Sequence, residues 1–298
     1  MTARILILGR GGQVGSALLP RLAALGEVSA HGRETCDLAD LNQVREIIRS
    51  MRPNFIVNAA AYTLVDKAES DAEACYRINA LAPHMIAEEA KALGALLIHY
   101  STDYVFDGTK NSAYTEDDTP SPLSVYGCSK LEGDRAIAAT IENYIIFRVG
   151  WVYGPAGRNF PRTILKLAAE RDELRIVADQ FGAPTSADLI ADVTADIVGR
   201  FANGMIDGGV CGVYNLAPSG RVSWHGYAVE LLREAKEQGV PLRLSENNII
   251  PITTDQYPTL AARPKNSVLD TRKIQQIFGL ELPAWQAPLK QFVSQLSL

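Results

Sequence analysis

A glycine-rich turn directly after the first apolar run constrains the fold of this chain more than any other feature. The run Ile5 to Leu8 is followed at once by Gly9, Gly12 and Gly15, which have the spacing G-x-x-G-x-x-G. Glycine suits such a turn because the main chain must bend tightly, approach a pyrophosphate closely and bring the next helix against the strand. A turn without a ligand could show the same glycines, but the position between a buried strand and an amphipathic helix favours a dinucleotide site.

The rest of the first half alternates short apolar runs with helical patterns. Short, mostly apolar runs occupy 5–8, 55–57, 95–99 and 144–149, and apolar spacing predicts helices over 14–25 and 41–51. Strands that are apolar throughout and separated by helices predict a parallel sheet covered on both faces. We therefore expect an α/β protein with a Rossmann-type doubly wound parallel sheet.

The second half has a looser pattern. Gly154, Pro155, Gly182 and Pro184 interrupt it, and helical patterns follow at 187–201 and 225–237. We expect residues 1–150 to form an NAD(P)-binding Rossmann domain. We expect residues 151–298 to form mainly a smaller α/β substrate-binding lobe, with some segments returning to the first domain.

Charge and cysteine content exclude several classes of protein. The formal net charge is −5, and no run of Lys or Arg is long enough to bind a nucleic acid or an anionic membrane. The four cysteines are scattered, without the spacing of a disulfide framework or a metal site. The N-terminal apolar run is too short for a signal peptide or a membrane span, so we expect a cytoplasmic protein. The sequence leaves the oligomeric state open, with a homodimer as one option.

A tyrosine and a lysine four residues apart, Tyr126 and Lys130, form a Y-x-x-x-K pair at the start of a helical stretch. Both would lie on one helix face, where the lysine cation could stabilise a phenolate whose ordinary pKa is about 10. A tyrosine and a lysine at this spacing can also lie on the protein surface, where the aromatic ring packs on the aliphatic part of the lysine side chain. The strand that ends near Thr102 favours the catalytic interpretation, because the carboxyl ends of parallel strands face the ligand crevice.

The residue that selects between NADH and NADPH is expected after the second strand, about 20 residues beyond the glycines. The sequence there has His31 and Gly32 in place of a carboxylate, followed by Arg33. Arg33 could bind a 2′-phosphate or be a solvated surface charge, and Asp37 could bind the adenine or cap the next helix. We expect NADPH as the cofactor, with NADH also accepted.

Several segments together resemble the extended short-chain dehydrogenases, and more narrowly the dTDP-4-dehydrorhamnose reductases. The segments shared with the wider family are 9–15, 58–69, 99–106, 126–130 and 148–153. Two more segments, 179–185 and 263–267, narrow the resemblance to the reductases, so that it spans nearly the whole chain. It implies that the chain reduces the C4 keto group of dTDP-4-dehydro-L-rhamnose, a dTDP-sugar, in the last step of dTDP-L-rhamnose synthesis.

The resemblance also implies roles for particular residues. Together with Gly9 and Gly15 of the turn and Arg33 after the second strand, it gives the residues expected around the cofactor: Gly12, Gln13, Val14, Asp37, Leu38, Ala61, Tyr62, Thr63, Tyr100, Tyr126 and Lys130. Tyr126 would donate a proton to the sugar oxygen, Lys130 would hold the ribose and keep the pKa of the phenol low, and Thr102 would hold the reacting oxygen. The residues expected to contact the sugar are Thr102, Asp103, Tyr126 and Trp151.

Two other functions stay open on the sequence alone. An epimerase or dehydratase acting on a nucleotide sugar would retain its cofactor, but a dehydratase usually has an acidic pair beside the threonine. Here Asp103 follows Thr102 and the next residue is Tyr104. A non-catalytic regulatory subunit of a methionine adenosyltransferase would share the fold and tend to lose part of the Tyr/Lys set, which is intact here. The predicted reduction needs no metal.

Overall fold

The described part of the chain, residues 2–296 of the computed structural model, alternates strands and helices. The strands are β1 (Ala3–Leu8), β2 (Gly26–His31), β3 (Phe55–Asn58), β4 (Leu96–Thr102), β5 (Tyr144–Val149), β6 (Val152–Tyr153), β7 (Leu174–Val177), β8 (Phe181–Gly182), β9 (Thr185–Ser186), β10 (Gly212–Asn215), β11 (Val222–Ser223) and β12 (Ile249–Ile252). The helices are α1 (Gln13–Leu22), α2 (Leu41–Met51), α3 (Val65–Ala68), α4 (Ala72–Tyr76), α5 (Ala82–Leu93), α6 (Val125–Thr140), α7 (Phe160–Glu170), α8 (Ala187–Ala202), α9 (Trp224–Glu237), α10 (Arg272–Phe278) and α11 (Gln286–Ser294). A π-helical turn (Arg77–Leu81) joins α4 to α5.

Six of these strands form a parallel sheet in the spatial order β10, β5, β4, β3, β1, β2. From β1 the chain moves outward to β2 and then returns to β3 on the other side of β1. This reversal creates a crevice at the carboxyl ends of β1 and β3, which is where doubly wound sheets bind ligands. The predicted Rossmann-type α/β fold is confirmed.

Two apolar layers cover the sheet. Every residue of β3 and the last four residues of β1 are buried, because these central strands carry mainly apolar side chains on both faces. Helices α1, α8 and α10 pack on one face, and α2, α5 and α6 pack on the other. The sheet therefore holds the carboxyl ends of its strands in fixed positions around the crevice.

The second half of the chain contributes to two separate cores. Strand β10 pairs with β5, and α8 packs beside α1, so both elements complete the layer around the large sheet. Helices α7, α9 and α11 surround another core that includes Tyr153 and Trp285. Short paired strands, β7 with β12 and β8 with β11, border this smaller lobe. Of the helices described, none is both long and apolar enough to cross a membrane.

Candidate active site

The glycine-rich turn forms a cradle that a side chain would fill. Gly9 has a φ of +90°, and a Cβ on it would lie 2.6 Å from the Ala60 nitrogen. A Cβ on Gly15 would lie 2.0 Å from the Gly9 oxygen, so glycine at this position lets α1 approach the turn. Helix α1 follows Gly12 without a side-chain cap, which leaves the N–H groups of its first turn for a ligand. The turn therefore has the form of an anion site.

A cavity of about 530 Å³ lies between this turn and the carboxyl ends of the central strands. Two residues predicted to bind the cofactor lie outside its lining: Gly15 packs behind the turn, and Tyr62 is buried with its hydroxyl 3.0 Å from Asp71 Oδ2. The other predicted cofactor residues all line the cavity: Gly9, Gly12, Gln13, Val14, Arg33, Asp37, Leu38, Ala61, Thr63, Tyr100, Tyr126 and Lys130.

The cavity also has lining residues that the sequence did not single out. Gly157 and Arg158 reach it from the loop before α7, and no local pattern signals their approach. Val149 ends β5 and also lines the cavity. The rule that ligands bind at the carboxyl ends of parallel strands could have predicted Val149.

A carboxylate that follows β2 forms an ion pair with the glycine-rich turn. Glu34 binds Arg10, whose Nη2 lies 2.5 Å from the carboxylate oxygen. This hydrogen bond lowers the pKa of Glu34. Arg33 is exposed and lines the same edge of the cavity. Its neighbour Glu34 is therefore engaged by another cation.

Asp37 lies at the cavity edge and does not cap the next helix. Its Oδ1 accepts a hydrogen bond from the Ala39 N–H at 3.0 Å, and its own N–H donates to Gln43 Oε1 at 2.8 Å. Asp40 caps α2 instead and accepts from two N–H groups of the first turn. The interpretation of Asp37 as a helix cap is therefore wrong, and Asp37 lines the cavity next to Leu38.

Lys130 is buried beneath the cavity, with only 1% of its surface exposed. Its Nζ donates a hydrogen bond to the Tyr100 carbonyl oxygen at 2.6 Å and lies 3.0 Å from His99 Nε2. Burial lowers the pKa of Lys130 to about 8, because it disfavours the charged form. The amine is thus bound to β4, one helical turn from Tyr126.

The Tyr126 phenol lies where two cavities approach each other. Its ring lines the smaller cavity and packs edge to face on Tyr104, with ring centroids 6.1 Å apart. Gly127 allows the close contact between α6 and the turn after β4, because a Cβ there would lie 2.3 Å from the Tyr104 oxygen. Burial raises the pKa of Tyr126, and the nearby Thr102 hydroxyl partly offsets this effect.

A tight turn after β4 holds Thr102 and Asp103. Thr102 Oγ1 accepts a hydrogen bond from the Tyr104 N–H and donates one to Asp103 Oδ1, both at 3.2 Å. Asp103 is 2% exposed, and burial raises its pKa to about 7. Its Oδ2 packs against Gly150 and has no hydrogen-bond partner within residues 2–296. Asp103 therefore lies behind the turn, while Thr102 lies next to Tyr126.

Trp151 is enclosed by other residues of the smaller lobe. It stacks on Trp224 with ring centroids 3.5 Å apart and an angle of 6° between the planes. On the other side Gly182 provides the space, since a Cβ there would lie 2.5 Å from the indole. Trp151 also has a φ of +51°, which is uncommon for a bulky residue. Trp224, which the sequence did not single out, lines the larger cavity.

The larger cavity has a volume of about 1180 Å³ and lies beyond Tyr104. Asp66 of α3 ties one wall to the first half of the chain, because its carboxylate binds Arg263 Nη2 at 2.7 Å and the Ala261 N–H at 3.1 Å. The other lining side chains are mostly aromatic, aliphatic or cationic, and include Phe160, Leu167, Arg171, Arg175, Ile176, Trp224 and Tyr257. Clusters of His, Cys, Asp and Glu that could hold a metal are absent from the described residues.

The fold and these two cavities define a class of protein. An anion cradle at the switch point of a doubly wound sheet, with a Y-x-x-x-K pair beside it, is the arrangement of an extended short-chain dehydrogenase or reductase. A family model described as the RmlD substrate binding domain matches residues 3–298. The chain is 46% identical over 296 residues to the dTDP-4-dehydrorhamnose reductase of Escherichia coli, covering 98% of this chain and 97% of that protein. The chain belongs to the RmlD family of dTDP-4-dehydrorhamnose reductases, as its motifs predicted.

Two solved structures of the same family have this fold. The dTDP-4-dehydrorhamnose reductase of Bacillus anthracis, in complex with NADP, is 30% identical with a TM-score of 0.88, and the match covers 99% of this chain and 100% of that chain. The ortholog from Clostridium acetobutylicum is 34% identical with a TM-score of 0.89, at the same coverage of 99% and 100%. The resemblance therefore extends over both lobes.

Proposed function

We propose that this chain reduces the C4 keto group of dTDP-4-dehydro-L-rhamnose to give dTDP-L-rhamnose, with NADPH as its cofactor. The observation that carries the proposal is the position of Tyr126, which lines the smaller cavity and packs on Tyr104 of the larger one. A proton donor placed there can protonate a substrate in the larger cavity while a cofactor occupies the smaller one. The Escherichia coli relative and the NADP complex from Bacillus anthracis support the same reaction and cofactor.

The residues of the smaller cavity fit a dinucleotide. The glycine cradle and the uncapped start of α1 suit a pyrophosphate, and Gly12, Gln13 and Val14 would contact it. Lys130 would hold the nicotinamide ribose, and Asp37 would lie beside the adenine. When bound, NADPH supplies a hydride to the sugar carbon. NADH is also accepted, because an exposed arginine such as Arg33 discriminates only modestly against it.

The protein's own part in the reaction is to hold and transfer a proton. Tyr126 donates its phenolic proton to the C4 oxygen as negative charge develops there, and Thr102 donates a hydrogen bond to the same atom. The Thr102 hydroxyl now donates to Asp103, so it must rotate toward the substrate. A charged Lys130 then stabilises the Tyr126 phenolate until the phenol regains a proton.

The larger cavity suits a nucleoside diphosphate sugar. Its volume of about 1180 Å³ exceeds the about 300–1,000 Å³ typical of small-ligand pockets. Arg171 and Arg175 line it and can pair with a diphosphate, whereas Arg263 is already held by Asp66. Trp224, supported by Trp151, offers an apolar face to the deoxysugar. Asp103 is buried behind Thr102, so it would act on the sugar only through the Thr102 hydroxyl, from which it accepts a hydrogen bond.

We also propose that the two halves of the chain bind different ligands. Residues 1–150 form the cofactor domain and residues 151–298 mainly the substrate lobe, with β10 and α8 returning to the first domain. A cytoplasmic location is supported by the free thiols of Cys36 and Cys75, which suit a reducing compartment. A homodimer remains a prediction that light scattering of the purified protein would test.

Incubating the purified protein with NADPH and dTDP-4-dehydro-L-rhamnose tests the proposal. We expect loss of NADPH absorbance matched by formation of dTDP-L-rhamnose, identified by mass and by chromatography against a standard. An epimerase would convert the sugar without net loss of NADPH, and a regulatory subunit of a methionine adenosyltransferase would do neither. Either of these two outcomes would contradict the proposed reduction.

A further inference from the structure

A buried row of three polar side chains lies behind the site, and the mechanism above uses only one of them. Asn58 and His99 are paired in register on β3 and β4, and Lys130 of α6 follows them. All three residues are 1% exposed. Asn58 Nδ2 lies 3.1 Å from His99 Nδ1, and His99 Nε2 lies 3.0 Å from Lys130 Nζ. The two ring nitrogens of His99 thus each face one neighbour.

The hydrogen-bond donors and acceptors in this row determine where the protons of His99 and Lys130 lie. The Ala60 N–H donates to Asn58 Oδ1 at 3.3 Å, so the Asn58 amide nitrogen is the atom that faces His99. An amide nitrogen can only donate, and His99 Nδ1 must therefore accept. A neutral His99 ring then carries its proton on Nε2, directed at Lys130. Because an ammonium has no lone pair, this arrangement requires Lys130 to be a neutral amine.

Charging Lys130 requires a second arrangement of the same atoms. The ammonium would donate to His99 Nε2, and the ring proton would move to Nδ1. The Asn58 amide would then rotate to present its oxygen to Nδ1, and the Ala60 N–H would lose its acceptor. One proton is taken up from solvent in this change: Nζ gains it, and the ring stays neutral. Ala60 lines the smaller cavity, so the change reaches the loop on which the cofactor would lie.

We propose that His99 and Asn58 are positioning residues that couple the charge of Lys130 to the cofactor loop at Ala60 by exchange of the His99 tautomer. Removing the charge from Lys130 removes the stabilisation of the Tyr126 phenolate, so the exchange limits turnover at high pH. The functional consequence rests on the proposed reduction, whereas the tautomer exchange itself does not.

Two other ionisable groups, Asp134 and Cys75, affect the pKa of Lys130 without contacting His99. Asp134, one helical turn further along α6, favours the charged amine. Asp134 in turn accepts a hydrogen bond from Ser101 Oγ at 2.5 Å and faces Arg148 of β5. Cys75 of α4 is buried, which raises the pKa of its thiol and keeps it neutral. None of these groups bonds either ring nitrogen of His99 in the described residues.

Nitrogen-15 NMR of histidine in the substrate-free protein tests the exchange directly. The chain has four histidines, and the His99→Phe variant identifies the His99 signals. We expect a neutral ring throughout, with the Nδ1–H tautomer at low pH and the Nε2–H tautomer at high pH. The midpoint should coincide with the titration of Lys130, whose pKa burial lowers to about 8. A single tautomer across this range, or a protonated ring, would overturn the proposal.

Asn58→Asp tests the functional consequence with little change in size. Its carboxylate still accepts from the Ala60 N–H, and its second oxygen requires a proton on His99 Nδ1, which leaves Nε2 to accept from a charged Lys130. The upper pH limit of kcat should therefore rise by about one pH unit or more, as expected when the charged amine is favoured. At low pH both proteins have a charged Lys130, but only the variant keeps the Ala60 N–H bond, so their cofactor affinities should differ there. Equal affinities would contradict the coupling to the cofactor loop.

The double variant His99→Phe, Asn58→Asp separates the relay from a direct charge effect. If His99 carries the coupling, Asn58→Asp shifts the pH limit much less in the His99→Phe background than alone. An equal shift in both backgrounds would overturn the relay, since the new carboxylate would then act on Lys130 through space. If His99→Phe does not fold, replacing the other three histidines, His31, His84 and His225, identifies the His99 signals by elimination, and the NMR titration of the native protein still decides. If the protein does not reduce dTDP-4-dehydro-L-rhamnose, the proposed function is wrong. If His99 shows no tautomer exchange, only the coupling proposed here is wrong.

Discussion

Arg10 holds the Glu34 carboxylate, with Nη2 at 2.5 Å and Nε at 3.2 Å from the same oxygen, and this pair leaves Arg33 exposed beside it. The two arginines beside Glu34 therefore differ: Arg10 is paired with its carboxylate, and Arg33 is exposed and lines the cavity. The exposed guanidinium of Arg33 can pair with a 2′-phosphate. Because Glu34 is engaged by Arg10, its carboxylate does not occupy the Arg33 guanidinium, which supports Arg33 as the residue that favours NADPH.

We expect NADPH to be used at least as well as NADH, and Arg33→Ala to lower kcat/KM for NADPH alone. The loss should reach about fivefold at most, since exposed ion pairs contribute about 1 kcal/mol or less. Glu34→Gln is the matched control, because it frees Arg10 and should improve the use of NADPH. Steady-state kinetics with both cofactors measures this. A clear preference for NADH in the native enzyme, or full NADPH use by Arg33→Ala, would show that Arg33 is only a surface charge.

Tyr126→Phe should lose turnover by about 10²- to 10⁴-fold, the contribution usual for a positioned acid, while cofactor affinity stays nearly unchanged. Tyr144→Phe is a suitable control, because Tyr144 starts β5 at the opposite end of the sheet from the site. Lys130→Met should reduce both turnover and cofactor affinity, since it removes a cation and a ribose contact. Turnover of Tyr126→Phe within a few-fold of wild type would contradict the role of the phenol.

The parts of the site that follow local rules were predictable from the sequence. The turn Gly9 to Gly15 has its form because backbone and helix approach within one short segment, and the spacing of Tyr126 and Lys130 follows from the helix repeat. The doubly wound sheet was predictable because continuous apolar runs identify buried parallel strands. Each of these inferences needs only neighbours in sequence.

The parts that depend on distant contacts were not predictable in the same way. The stacking of Trp151 on Trp224 and the space left by Gly182 join three separate segments. The row from Asn58 to Lys130 similarly needs the register of two strands and the docking of a helix. The hydrogen-bond donors and acceptors in this row can be assigned only once the packed geometry is known.

Trp224→Leu should raise KM for the sugar nucleotide more than Trp151→Leu does. Trp224 lines the larger cavity, whereas Trp151 is held between Trp224 and Gly182 and would act on the sugar mainly by supporting that wall. Trp151→Leu should instead lower the free energy of unfolding more, since it leaves a void beside Gly182. Kinetics and chemical denaturation of both variants measure the two effects. A larger KM effect for Trp151→Leu would place that indole in direct contact with the sugar.

Asp103→Asn should make the protein more stable at high pH than at low pH, relative to wild type. Burial raises the pKa of Asp103 from 3.8 to about 7, so between these values the folded state holds a proton that the unfolded chain releases. The carboxyl therefore contributes stability at low pH that is lost as pH rises through about 7. The asparagine has no proton to lose, and its advantage should grow over the same interval by on the order of a few kcal/mol, at about 1.4 kcal/mol per pKa unit. Denaturant unfolding at several pH values measures the difference.

Asp107→Asn is the control with the opposite sign. The Thr109 N–H and hydroxyl donate hydrogen bonds to Asp107 and lower the pKa of its carboxyl. The Asp107 carboxylate therefore stabilises the native protein at higher pH, and this stability is lost as the pH falls through the lowered pKa. A difference between wild type and Asp103→Asn that stays constant with pH would show that Asp103 is ionised in the folded protein without cost.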